Sequence, residues 1–318
     1  MDSKKRVSLA IDHREADRIP LNIWMFREDT SKLVIEKYGS LDAFYERYNI
    51  DIHMEITPPP CLTNLDYLEE NMTMEPEDIK PEHWMDPDDP RIYEGVRTLI
   101  SKYGKDKCIF VHIWGVLESV YGFCGIERTL MLMAQDPDFT RSLFEKAADF
   151  SKRVVKNLLE FDIDIIHITG DVGSNRSMLF SPDMWRTLIM PFDREILSPA
   201  IQRGIPLSLH SCGYCMPVIQ DWIDMGIRIL HPVQESAGMD LYEVKDRYGK
   251  QITINGGLDI RELSNMKLSE AEDYVKTRVQ YLKKGGGFIF NTSHTVQTDT
   301  SLEVLERAYD AAMEYGKY

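Results

Sequence analysis

The sequence predicts an α/β protein folded as a (β/α)₈ TIM-type barrel with a long insertion after the second strand. Three observations predict it. Short runs of β-branched and apolar residues recur about eight times, stretches of helical spacing separate them, and 318 residues suit that number of units. A doubly wound open sheet is the alternative for such alternation. It calls for a glycine-rich phosphate loop after an early strand, and neither residues 22–30 nor 55–65 carry G-x-G-x-x-G. No internal repeat competes with the barrel, so residues 1–318 are read as one barrel domain.

The first strand is IPLNIW (Ile19–Trp24) and the second IDIHMEI (Ile50–Ile56). Residues 57–89 then break the rhythm with Pro58–Pro60 and the run MEPEDIKPEHWMDPDDP. No regular element fits them, and they leave the C-terminal face as either a solvated insertion or a substrate lid. CIFVHI (Cys108–Ile113) is the third strand. Residues 138–160 follow as a covering helix, with Phe144, Ala147, Ala148, Val154, Val155 and Leu158 on related faces. The remaining strands are IDIIHIT (Ile163–Thr169), IPLSLH (Ile205–His210), IRILHPV (Ile227–Val233), QITING (Gln251–Gly256) and GFIFNTS (Gly287–Ser293).

Charge and composition exclude several functions. With 37 Lys and Arg against 52 Asp and Glu the net charge is −15, and no basic run interleaved with aromatics offers a nucleic-acid surface. The opening MDSKKRVSLAIDHREADR is charged where a signal peptide is apolar. No window reaches the roughly 20 apolar residues of a membrane span. A cytoplasmic protein without membrane contact is expected. Five cysteines, an odd number, argue against a disulfide framework and leave thiols for metal or catalysis.

The strongest local signal is His210-Ser211-Cys212-Gly213 at the end of the fifth predicted strand. Residues i and i+2 of a strand share a face, so an imidazole and a thiol project together at the C-terminal mouth. That pair suits zinc with an open position, although H-x-C also occurs in purely structural roles. Cys215 extends the run to H-x-C-x-x-C. It is a reserve ligand, because it lies past the glycine near the next helix. His294, after the last strand, meets the same mouth if the barrel closes; otherwise it is a loop histidine capping a turn. Asp171, Gln234, Asn255, Trp24 and Trp114 also sit at strand C-termini, where barrel enzymes place function. His112 and His167 lie within strands and read as satisfied barrel or interface histidines, and His231 is undecided. The 16 methionines read as core filler that also lines an apolar pocket.

Taken in order, READRIPLN, FSPDMWRTLIMPF, SLHSCG, HPVQ, NGGLD, KKGGGFIFNTSH and AYDAAMEYGKY make the chain resemble the uroporphyrinogen decarboxylase superfamily over nearly its whole length. The resemblance implies a (β/α)₈ barrel with its site at the C-terminal mouth. The superfamily contains porphyrinogen decarboxylases and zinc-dependent methyltransferases that work with a corrinoid. Decarboxylases carry an arginine-bearing P-V-W-F-M-R-Q-A-G-R motif after the first strand. Here Pro20 is followed by LNIWMFRED, so Met25 and Asp29 take the arginine positions and only a displaced Arg27 remains. An acidic residue opposes a polycarboxylate substrate. The methyltransferases carry H-x-C and a second cysteine after the last strand; His210 and Cys212 match, and His294 occupies the last position.

These features favour a zinc-dependent methyltransferase working with a corrinoid protein and a small-molecule methyl donor or thiol acceptor. Zinc is expected on His210, Cys212 and His294, and catalytic roles fall to Asp171 and His294. Trp24, Trp114, Tyr121, Gln234 and Asn255 are expected to bind substrate. The resemblance allows a homodimer. The alternatives are a decarboxylase of a porphyrinogen or smaller acid, with Asp171 or His294 in proton transfer, and a non-catalytic scaffold for a tetrapyrrole or corrinoid protein.

Overall fold

The computed structural model describes residues 1–61 and 73–318, so part of the expected insertion, 62–72, lies outside the described residues. Seven parallel strands run in chain order around one curled sheet: β1 (Ile52–Ile56), β2 (Cys108–Ile113), β3 (Ile165–Thr169), β4 (Leu207–His210), β5 (Ile227–His231), β6 (Thr253–Leu258) and β7 (Phe288–Thr292). Neighbours are consecutive throughout, the order of a TIM-like barrel, and nearly every strand residue is buried, as a helix-wrapped parallel sheet requires. The 22-residue helix Pro137–Leu158 realises the 138–160 expectation. Asp136 accepts a hydrogen bond from the Phe139 amide at its start, and Pro137 occupies the first turn.

The expected first strand is corrected: residues 19–24 form no ladder of their own. They make one parallel bridge, Leu21 to Phe290 of β7, and lie between β7 and β1. The cause is local. Pro20 has no N–H, and side chains capture three of the next four backbone donors. The Leu21 amide donates to Asp51 Oδ2 (2.8 Å), that of Ile23 to Asn22 Oδ1 (2.9 Å) and that of Trp24 to Thr292 Oγ1 (3.1 Å). The seam is still spanned on both sides, because Asn22 N donates to Phe290 O (2.8 Å) and Asp51 N to Leu21 O (2.7 Å).

The N-terminal end of the barrel is plugged by the helix Ser3–Ile11. Its Val7, Ala10 and Ile11 pack on a ring of inward residues, Ile52, Cys108, Phe110, Ile165, Ile229 and Ile289. Asp51, wholly buried, ties this helix to the seam: it accepts from Ser3 Oγ (2.8 Å), Arg6 Nη1 (2.6 Å) and Arg18 Nη1 (2.7 Å). The described part of the insertion is exposed at many positions but anchored to the body at a few. Three-residue 3-10 turns at Pro76–Asp78 and Pro81–His83 bury Ile79 and Met85, and Trp84 packs on Phe123 with ring centres 4.7 Å apart.

Candidate functional site

Above the apolar plug, two-residue alternation fills the barrel with polar side chains. Stepping up from Phe110, Ile165, Ser208, Ile229 and Ile289 gives His112, His167, His210, His231 and Asn291, all buried. Trp24 enters from the seam and lies flat against His231 (4.2 Å, 11°) and His210 (4.8 Å, 20°). Burial keeps this layer uncharged. It pushes His112 down to about 3 and holds His167 and His231 well below the ordinary imidazole range. His210 is pushed down to about 4, burial outweighing the opposing pull of Asp171. His112 and His167 therefore belong to the barrel interior as expected, but they are not satisfied: His112 Nδ1, His167 Nε2 and the amides of Asn255 and Asn291 have no hydrogen-bond partner among the described residues.

His210 links this layer to the mouth. Its Nδ1 lies 2.8 Å from His231 Nδ1, while its Nε2 lies 3.3 Å from Cys212 Sγ and 3.6 Å from Asp171 Oδ1. His294, exposed at the rim, completes a group in which one ligand atom each from His210, Cys212 and His294 falls within 4.8 Å of the others. A second such group, His167, His210 and His231, lies within the barrel and shares His210. Cys215 does not join the mouth group; it is buried, with its amide 3.4 Å from Met239 Sδ.

The loops after β3 and β4 are locked together to place Cys212. Its amide donates to Asp171 Oδ1 (2.7 Å), and the Gly213 amide donates to Gln234 Oε1 (2.8 Å). Behind Asp171, its own amide donates to Glu118 Oε1 (2.6 Å), a wholly enclosed carboxyl that burial and the Asp171 charge hold far above the ordinary range. Burial and Asp171 also raise the Cys212 thiol well up, partly offset by the Arg261 charge. A cation among these ligands reverses that preference, since thiolate is the metal-binding form.

The group opens onto a cavity of about 570 Å³ lined by Cys212, Gln234, Arg261, His294 and Asp299 among others. Of the expected substrate contacts, Gln234 lines this cavity. Trp24 and Asn255 do not, because they stand in the buried layer behind His210. Trp114 donates Nε1–H to the Thr57 carbonyl (2.6 Å), and Tyr121 is half-buried on helix Val116–Cys124, also away from the cavity lining. Sequence reading missed Glu118, Asn291 and Arg261. It also missed the layer as a whole, whose signal was a histidine within two residues of the end of four consecutive strands.

Among solved structures, the chain is similar to a methyltransferase from Methanosarcina mazei over 99% of both chains, with a TM-score of 0.76 and 19% identity. It is also similar to a B12-independent methionine synthase from Shewanella sp. W3-18-1 over 95% of both chains, with a TM-score of 0.55 and 13% identity. At these identities the likeness is one of fold. In sequence, the uroporphyrinogen decarboxylase of Bacillus subtilis (strain 168) is 28% identical over 194 residues, 60% of this chain and 51% of that protein. That of Bacillus pumilus (strain SAFR-032) is 24% identical over 192 residues, 59% of this chain and 51% of that protein. The chain spans about half the length of the curated relatives it matches. Residues 54–315 fit the family model for uroporphyrinogen decarboxylase (URO-D), a stretch that takes in every group from His112 to His294, and the chain belongs to that family.

Proposed function

We propose that this protein is a zinc-dependent methyltransferase that moves a methyl group between a small-molecule donor or thiol acceptor and a corrinoid carried by a partner protein. The observation that carries the reading is the convergence of His210, Cys212 and His294 at the mouth of the barrel, open to a cavity on one side. The donor set fits the ion: two imidazoles and a thiol, already close, need only small movements to reach the usual distances of about 2.0 Å to nitrogen and 2.3 Å to sulfur. Bound there, zinc supplies Lewis acidity to a substrate sulfur or oxygen at the remaining position.

The protein's own groups prepare that position. Asp171 and Gln234 grip the backbone on either side of the Cys212 side chain, so the sulfur is aimed before substrate arrives. The Asp171 carboxylate, 3.6 Å from His210 Nε2, takes the proton that a thiol acceptor releases in this reading. Gln234 and Arg261 supply polar contacts along the cavity.

The activity named for the two Bacillus relatives favours a second reading, decarboxylation of a porphyrinogen or smaller acid with Asp171 or His294 moving the proton. The cavity lining opposes a polycarboxylate, since among the described residues Arg261 is its one arginine or lysine and the acidic Asp299 lines it too.

Elemental analysis of protein purified without chelator tests the proposal. The expected result is about one zinc per chain. His210→Ala should abolish zinc retention and lower methyl transfer from methylcobalamin to a thiol at least ~100-fold. Absence of zinc, together with carbon dioxide release that needs no corrinoid and survives chelator, overturns it in favour of the decarboxylase.

A further inference from the structure

We propose that His231, which does not line the cavity, fixes the tautomer of His210 and so decides which of its ring nitrogens is offered at the mouth. The argument starts from β7. The Thr292 carbonyl accepts hydrogen bonds and cannot donate, so His231 Nε2, 3.0 Å away, carries the hydrogen. A neutral imidazole has one N–H, and His231 Nδ1 is therefore a lone pair. It lies 2.8 Å from His210 Nδ1. Two lone pairs at that distance repel, so His210 carries its hydrogen on Nδ1 and keeps its lone pair on Nε2. That nitrogen is the one 3.3 Å from Cys212 Sγ, and the thiol hydrogen has an acceptor there when no metal is bound.

The chain Thr292 carbonyl, His231, His210 is held rigid on every side. Register pairs His210 with His231 across β4 and β5, and the Ser211 amide donates to the His231 carbonyl (2.8 Å). The indole of Trp24 lies over both rings, at 11° to one and 20° to the other, and prevents either from rotating. Both histidines are enclosed, so water cannot replace a lost partner. In the opposite tautomer His210 would aim an N–H at the ligand position and a lone pair at a lone pair. His231 is thus a positioning residue, hydrogen-bonded directly to the strand that also leads to His294.

This inference rests on His210 being a metal ligand, and its test separates the two. Metal-free protein labelled with ¹⁵N at histidine reports the tautomer directly. The expected spectrum shows Nε2 of His210 as the bare nitrogen and Nδ1 as the protonated one. Zinc affinity is then measured by competition with a chromogenic chelator. His231→Phe keeps the stacked ring but removes both nitrogens, and it should weaken zinc about 10–100-fold. His231→Asn leaves an acceptor near the Nδ1 position and should recover most of that loss. A wild type whose His210 is protonated on Nε2 overturns the inference without any variant. So does a folded His231→Phe that binds zinc as tightly as wild type. If wild type binds no zinc while the expected tautomer is seen, the metal reading falls and the tautomer assignment stands.

Discussion

At the N-terminus of helix Val116–Cys124, the carboxyl of Asp193 is wholly enclosed and accepts the Val116 amide at 3.1 Å, and burial pushes it up to about 7. A carboxyl raised in the fold stabilises it at low pH, and that contribution is lost as pH rises from about 4 through 7, at about 1.4 kcal/mol per pH unit. Asp193→Asn keeps the acceptor and removes the ionisation. Urea denaturation should show the variant level with wild type near pH 4 and more stable by up to ~4 kcal/mol at pH 8; a constant difference across that range would refute the assignment. Other residues at this scale were legible in part. His210 and Cys212 could be read together because two positions on a strand share a face whatever the rest of the fold does. His231 could not, because its partner is fixed by the β4–β5 register and by a carbonyl on β7, neither of which spacing encodes. Trp24 is expected from sequence to bind substrate because it ends a predicted strand. Its ring stacks on the imidazoles of His210 and His231.

Between elements, the loops after β3 and β4 touch through glycines. Gly213 has φ of +80°, and a Cβ there would lie 2.3 Å from the Gly173 carbonyl carbon. Gly213→Ala should therefore cost more than the ~1–2 kcal/mol of the left-handed backbone alone, and it should loosen zinc by displacing Cys212. Gly204→Ala is the control: φ is +69° with open space around the added methyl, so only the backbone cost and no change in zinc affinity are expected. Equal losses of stability and no zinc effect in either variant would count against the interlock. Seven of the eight predicted strands became ladder strands, since apolar β-branched runs between helices have few other ways to be buried. The remaining one, residues 19–24, failed where Asp51, Asn22 and Thr292 outcompeted strand partners for its amides, two of the three from far away in the chain.

Over the whole molecule, five imidazoles stay neutral when folded: His53 and His210 are pushed to about 4, His112 to about 3, and His167 and His231 well down, all by burial. Depressed histidines stabilise the fold above their ordinary value near 6.5, and that stability is lost as pH falls below it. Glu118 and Asp193 act in the opposite sense, because they hold protons in the fold that the unfolded chain releases. The histidines outnumber these two carboxyls, so unfolding near pH 5 takes up protons net and stability falls as pH is lowered there. Metal-free protein should lose stability steeply between pH 6 and 5, and potentiometric or denaturation data with a flat profile there would contradict the neutral layer. The seam has its own consequence for how the molecule comes into being. Trp24 and its partner Thr292 are 268 positions apart, so the ring cannot close until the last strand has been synthesised and has found the first residues of the chain. Until then a nascent chain carries an open sheet edge, and the proposed metal site at His210 and Cys212 lacks His294.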